Sequence, residues 1–99
     1  MSSPFQINGI LDSSSKLDIL RLFTSQKGLR ATGREIARLS GYSVPSTHES
    51  LKTLYSHNIL NFESIGKQHI YSLNEENIIV QNIIRPLFVA ESKAKRGKG

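Results

Sequence analysis

The sequence contains no cysteine, and this absence removes disulfides, thiolate metal sites and cysteine nucleophiles together. No apolar run approaches the ~20 residues that a membrane-spanning helix needs. The first residues, Met1-Ser2-Ser3-Pro4-Phe5-Gln6, lack the basic stretch and apolar segment of a secretory signal, so the expected compartment is the cytoplasm. Glycine (7) and proline (3) are sparse and 37% of the residues are hydrophobic, which describes a folded chain rather than a disordered one. No internal repeat is visible. Ile65-Gly66-Lys67 is too poor in glycine to cradle a phosphate. No nucleophile, base and acid stand in a pattern that marks an enzyme. His48 and His57 lie too far apart on a helix to share a metal, and His69 falls in a strand segment, so neither metal nor cofactor is expected.

What is present is one small basic domain. Its 99 residues can bury only ~60–65% of the unfolded surface, so the core is thin and a partner subunit would help. Thirteen Lys and Arg against eight Asp and Glu leave a net charge of +5, which suits nucleic acid or an anionic surface. The charge is unevenly placed. Residues 91–99 carry Lys93, Lys95, Arg96 and Lys98 against Glu91, so over half of the net charge lies in that short segment.

The hydrophobic pattern predicts a helix over 14–27, behind the Ser13-Ser14-Ser15 caps, with Leu17, Ile19, Leu20, Leu22 and Phe23 apolar. Thr32-Gly33-Arg34-Glu35 is a capping box that opens a short helix, 33–39, ended by Gly41. Pro45 fits the first turn of a third helix, 44–57, whose Thr47, Leu51, Leu54 and Tyr55 share one face and whose end Asn58 can cap. Leu60 and Phe62 alternate, as do Tyr71 and Leu73, around Ile65-Gly66-Lys67-Gln68; this is a β-hairpin. Asn74-Glu75-Glu76 caps a last helix carrying Ile78, Ile79, Val80, Ile83, Ile84, Leu87 and Phe88. Pro86 should kink that helix or end its first segment near Arg85. The fold class is therefore mainly α with a small hairpin, in the order helix-helix-helix-hairpin-helix. Alternation of Phe5 and Ile7 admits a short N-terminal strand or a packed arm. The expected domain is 1–92, followed by a basic, frayed tail at 93–99.

Two short helices joined by a glycine-bearing turn, then a hairpin, describe a winged helix-turn-helix, in which the second helix enters the DNA major groove. Ala31 to Leu60, ATGREIARLSGYSVPSTHESLKTLYSHNIL, resembles the core of the winged helix-turn-helix transcriptional regulators of the ArsR and MarR type. Gly66-Lys67-Gln68-His69-Ile70-Tyr71-Ser72-Leu73-Asn74 is similar to the basic wing and aromatic second strand of the ArsR-like branch. The resemblance spans residues 14–74. It implies a prokaryotic, DNA-binding regulator of transcription, although the cysteines of the metal-sensing members are missing. Glu75-Glu76-Asn77 followed by Arg85-Pro86-Leu87-Phe88 also resembles winged-helix modules that precede prokaryotic nucleotidyltransferase domains. The Gly-Ser and Asp-x-Asp signatures of such a domain are absent.

The helical wheel of 44–57 places Pro45, Ser46, Glu49, Lys52 and Thr53 opposite the apolar face, as candidates for base contact. Glu49 must accept from cytosine or pair with a neighbouring base, because a lone carboxylate near phosphates weakens binding. Arg30, Arg34, Arg38, Ser43 and Ser56 are candidates for phosphate contact. Gly66, Lys67, Gln68 and His69 form the wing, which the resemblance sends to the minor groove. The first helix has an apolar arc of roughly 220°, more than one core-facing stripe needs. Leu17, Leu20, Ile79, Ile83, Leu87 and Phe88 are therefore assigned to a two-fold dimer contact, unless Phe5, Ile7 and Ile10 cover the excess. The expected partners are double-stranded DNA and a second copy of the chain, with no membrane. The alternative is a protein-interaction or adaptor module on the same fold, such as a partner of a separate nucleotidyltransferase.

Overall fold

The computed structural model describes residues 9–97. Helix α1 spans Ser14–Ser25, with the Ser13 hydroxyl accepting from the backbone N–H of Lys16. A short strand β1, Arg30–Thr32, leads without a loop into α2, Gly33–Ser40. The capping box that begins α2 is formed. Thr32 Oγ1 accepts from Glu35 N at 3.2 Å, and Glu35 Oε1 accepts from Thr32 N at 2.9 Å. Helix α3, Val44–Ser56, is capped by Ser43 and carries Pro45 in its first turn, where no amide donor is needed. Its end is closed by Asn58 in the left-handed conformation, φ 63°, as the sequence anticipates.

Strands β2 (Leu60–Ile65) and β3 (Gln68–Leu73) form the expected hairpin, joined by Gly66 and Lys67. The sheet has a third member that the hydrophobic pattern does not announce. Strand β1 pairs antiparallel with β3, Ala31 opposite Tyr71, giving the order β1-β3-β2. The side chain that caps the last helical segment is that of Asn77, not the Asn74-Glu75-Glu76 run. Asn77 Oδ1 accepts from Ile79 N at 2.7 Å. The Nδ2 groups of Asn74 and Asn77 instead both donate to the carbonyl of Asn58, tying the end of β3 to the end of α3.

The first helical segment gives way near Arg85, beside Pro86, and the helix runs on. A π-helical turn, Val80–Ile84, runs directly into α4, Arg85–Gly97, and Arg85 N–H reaches back to Val80 O. The irregularity thus falls in the turn before the proline, where its ring would crowd the ordinary ladder. Helix α4 continues past Glu91 to Gly97, through residues that the sequence assigns to a tail. Its stretch beyond Phe88 is anchored by Glu91, which receives Arg21 Nε and Nη2 at 2.8 and 2.9 Å.

The core joins Ile19, Leu20 and Phe23 of α1 to Ile36, Leu51, Leu54, Leu60, Val80, Ile84 and Phe88. Ile10 is fully buried with them, so the segment before α1 covers part of that helix's wide apolar arc. Phe5 and Ile7 lie outside the described residues. Leu20 and Phe88 are core residues of a single chain and have no surface to offer a mate, contrary to the dimer assignment. Phe88 lies beneath Arg21, whose guanidinium carbon is 5.5 Å from the ring centroid. Leu17 and Ile79 are partly buried against the same core, whereas Ile83 and Leu87 are exposed. Among the described residues no helix is long and apolar enough to cross a membrane.

Candidate nucleic-acid interface

The turn between α2 and α3 is set by one glycine. Gly41 has φ 83° and ψ 17°, a left-handed conformation that side-chain-bearing residues rarely adopt. It lets the N–H groups of Gly41 and Tyr42 both reach the Ala37 carbonyl, at 2.9 and 3.2 Å, before the chain starts α3. Tyr42 fastens this turn to α1. Its hydroxyl donates to Asp18 Oδ2 at 2.6 Å, and Arg21 Nη1 donates to the other oxygen at 2.6 Å. The hydroxyl bond first, and then Arg21, hold the Asp18 carboxyl below its ordinary value; the Tyr42 phenol is raised in return. Arg21 is held firmly charged by Glu91, which is itself depressed by that contact. One ionic chain therefore links the turn, α1 and α4.

Helix α3 divides as amphipathic periodicity demands. Thr47, Ser50, Leu51 and Leu54 are buried, and Ser50 Oγ meets Ser15 Oγ of α1 at 2.7 Å. On the opposite side Pro45, Glu49, Lys52 and Ser56 are exposed, and Ser46 and Thr53 are half-buried. Several of these hydroxyls already serve the helix. Thr53 Oγ1 donates to Glu49 O at 3.1 Å and Ser56 Oγ donates to Thr53 O at 2.7 Å. Ser43 Oγ accepts from Ser46 N at 3.2 Å, which leaves its own proton to donate.

The bases divide as well. Arg34 and Arg38 are exposed on α2 and enter none of the ion pairs among the described residues. Arg30 does not stand free: it pairs with Glu63 of β2 across the outer face of the sheet. Lys67 is exposed at the hairpin tip beside Gly66, whose φ of 60° makes the two-residue connection.

One expected core residue lies elsewhere. Tyr55 is 48% exposed, not packed with Leu51 and Leu54. It stands at the edge of the buried stripe and meets Phe62 of β2, ring centroids 5.5 Å apart. Phe62 also touches His69, at 4.7 Å, and Tyr71, at 5.5 Å. His48, Glu49, Lys52, Tyr55, Phe62, His69 and Tyr71 line one open cleft of about 340 Å³ between α3 and the wing. It brings His48 and His69 to one place, though no group of three or more metal-ligating side chains forms among the described residues. The pairing register carried the signal for this cleft. Phe62 stands opposite Tyr71, and Ser64 opposite His69, on the face that begins with Leu60 and Leu73.

Known proteins share this architecture. Residues 17–64 match the family model of the IclR helix-turn-helix domain. No curated protein matches the chain in sequence. Among solved structures, a predicted DNA-binding transcriptional regulator from E. coli superposes with a TM-score of 0.67 at 15% identity, covering 89% of this chain and 84% of that one. The homodimeric winged helix-turn-helix DNA-binding domain of a possible ArsR-family regulator from Mycobacterium bovis gives 0.64 at 18% identity, covering 91% and 75%. NolR from Sinorhizobium fredii gives 0.66 at 15% identity, covering 94% and 96%. The anticipated winged helix-turn-helix thus stands, with an ArsR-family protein among its structural neighbours. Residues 17–64 are thus similar to the IclR helix-turn-helix domain, and the described chain has a winged helix-turn-helix fold.

Proposed function

We propose that the protein is a DNA-binding regulator of transcription that acts as a homodimer. The observation that carries the reading is the α2–Gly41–α3 unit, which presents an exposed polar face of α3 beside Arg34 and Arg38, both outside the ion pairs among the described residues. In such a unit the second helix lies in the major groove, with its N-terminal residues nearest the base edges. Pro45, Ser46 and Glu49 hold that position, with Lys52 one turn further on. Arg34, Arg38 and the Ser43 proton suit phosphate oxygens, and Lys67 at the wing tip suits the adjacent minor groove. Arg30 contributes less, because Glu63 already neutralises it.

Dimerisation follows the apolar surface left outside the core. Ile78, Ile83 and Leu87 are exposed along the last helical segment, where a two-fold mate would cover them. The structural neighbour from M. bovis is described as homodimeric. Two copies of α3 about 34 Å apart would meet successive major grooves on one side of the duplex.

Fluorescence anisotropy with a labelled random duplex tests this. Binding should weaken steeply as salt rises, since phosphate contacts release counterions. Lys67→Ala should weaken all sequences alike, whereas Ser46→Ala should change the preference among them. No binding at low salt, or a Ser46→Ala protein with unaltered preference and affinity, would refute the docking.

A further inference from the structure

We propose that the cleft between α3 and the wing takes a single unpaired nucleobase, stacked against Phe62 and Tyr55. The proposal rests on the reading of this face as one that meets nucleic acid, and adds a second mode of contact to it.

The cleft is an outward continuation of the core. Three cross-strand rows lie on the inner face of the hairpin: Leu60 with Leu73, Phe62 with Tyr71, and Ser64 with His69. The first row and Tyr71 of the second are buried, but α3 passes on before Phe62 is covered. Phe62 is left 37% exposed with rings on three sides, and Tyr55 stands over it from α3. A solvated wing needs no such cluster. A β-hairpin that met only phosphates would do better with polar residues at these positions.

The shape limits what can enter. Bases in a duplex show only their edges, because their faces are stacked, while the recess of about 340 Å³ opens between the exposed Glu49 and Lys52 of α3 and the rings of the wing. An unstacked base can enter and lay its ring on an aromatic side chain, as in single-strand recognition. The rim supplies what a base edge and its phosphate require. His48 and His69 carry ring nitrogens that donate or accept, Glu49 accepts from an exocyclic amine, and the Lys52 ammonium faces a phosphate. Glu49 and Lys52 offset one another on the rim, so recognition there rests on the rings and on hydrogen bonds rather than on net charge.

The test compares short labelled oligothymidine and oligoadenosine with a labelled duplex, by anisotropy with the full chain. Phe62→Leu and Tyr55→Leu keep apolar bulk but remove the ring. Each should weaken single-strand binding by about 5- to 150-fold, the range that stacking of one base carries, and change duplex binding less than two-fold or so. Thymidine and adenosine monophosphates, added as competitors, identify the source of the ring. If they displace the strand, free nucleotides are ligands as well; if they do not, the base must arrive on a strand. Absence of single-strand binding overturns the proposal, as does single-strand binding that both variants retain. Equal losses for strand and duplex also overturn it, because the rings would then be part of the duplex contact or of the fold. If the unsubstituted protein binds single strands through these rings but binds no duplex, the regulator reading is refuted and the cleft stands.

Discussion

Replacing Gly41 by alanine is expected to destabilise the fold by about 1 kcal/mol through the backbone alone. The position has φ 83°, and a Cβ built there meets nothing within 4 Å, so no clash contributes. What remains is the conformational term. A left-handed residue with a side chain costs ~1–2 kcal/mol, while alanine recovers ~0.4–1 kcal/mol by restricting the unfolded chain. The net effect should lower Tm by about 4–8 °C for each kcal/mol in a domain of this size. Urea unfolding followed by far-ultraviolet circular dichroism measures it. Gly41→Asn supplies the control, because asparagine tolerates the left-handed region and should cost much less. Should alanine be neutral, or asparagine cost as much as alanine, the claim that this φ sets the α2–α3 turn is wrong.

Other substitutions probe the remaining parts. Thr32→Ala removes the capping box of α2 and should cost about 0.5–2 kcal/mol in the same unfolding assay. Leu54→Ala empties a fully buried site beneath α3 and should cost about 2–5 kcal/mol. Asp18 and Glu91 have carboxyls lowered from ordinary values of 3.8 and 4.5, Asp18 chiefly by Tyr42 and Glu91 by Arg21. A lowered folded-state value means stability that is present above the ordinary value and lost as the pH falls through the folded one. Tm should therefore drop below about pH 4.5, and Tyr42→Phe should flatten that drop; an unchanged slope would deny Asp18 its role. Leu87→Glu places a charge on an exposed apolar position, so it should halve the mass seen by light scattering while leaving Tm nearly unchanged.

Local chemistry made much of this fold legible in advance. The Thr32-to-Glu35 capping box, Pro45 in the first turn of α3 and the Gly41 terminator act within a few residues, and each lies where the pattern puts it. Strand β1 was not legible, because Arg30–Thr32 is too short to show alternation and is defined only by its partner β3. The same holds for α4 beyond Glu91, whose support comes from Arg21, seventy positions away. Leu20 and Phe88 fit an apolar stripe equally well as dimer contacts or as core, and only the packing of α1 against α4 separates the two. Tyr55 departs from the expected core face for a related reason. It borders the buried stripe of α3, and its exposure depends on how far the hairpin reaches along the helix. The faces of α3 were legible; the pairing of Arg30 with Glu63, across the sheet, was not.

Selection of bound sequences from a random duplex pool tests the central claim most directly, since it reads DNA binding, preference and dimer symmetry together. A homodimer docked through α3 should enrich a pseudo-palindrome whose half-sites are centred about 10–10.5 base pairs apart, and Ser46→Ala should lose that preference. A pool that emerges from selection at low salt as random as it entered would contradict it.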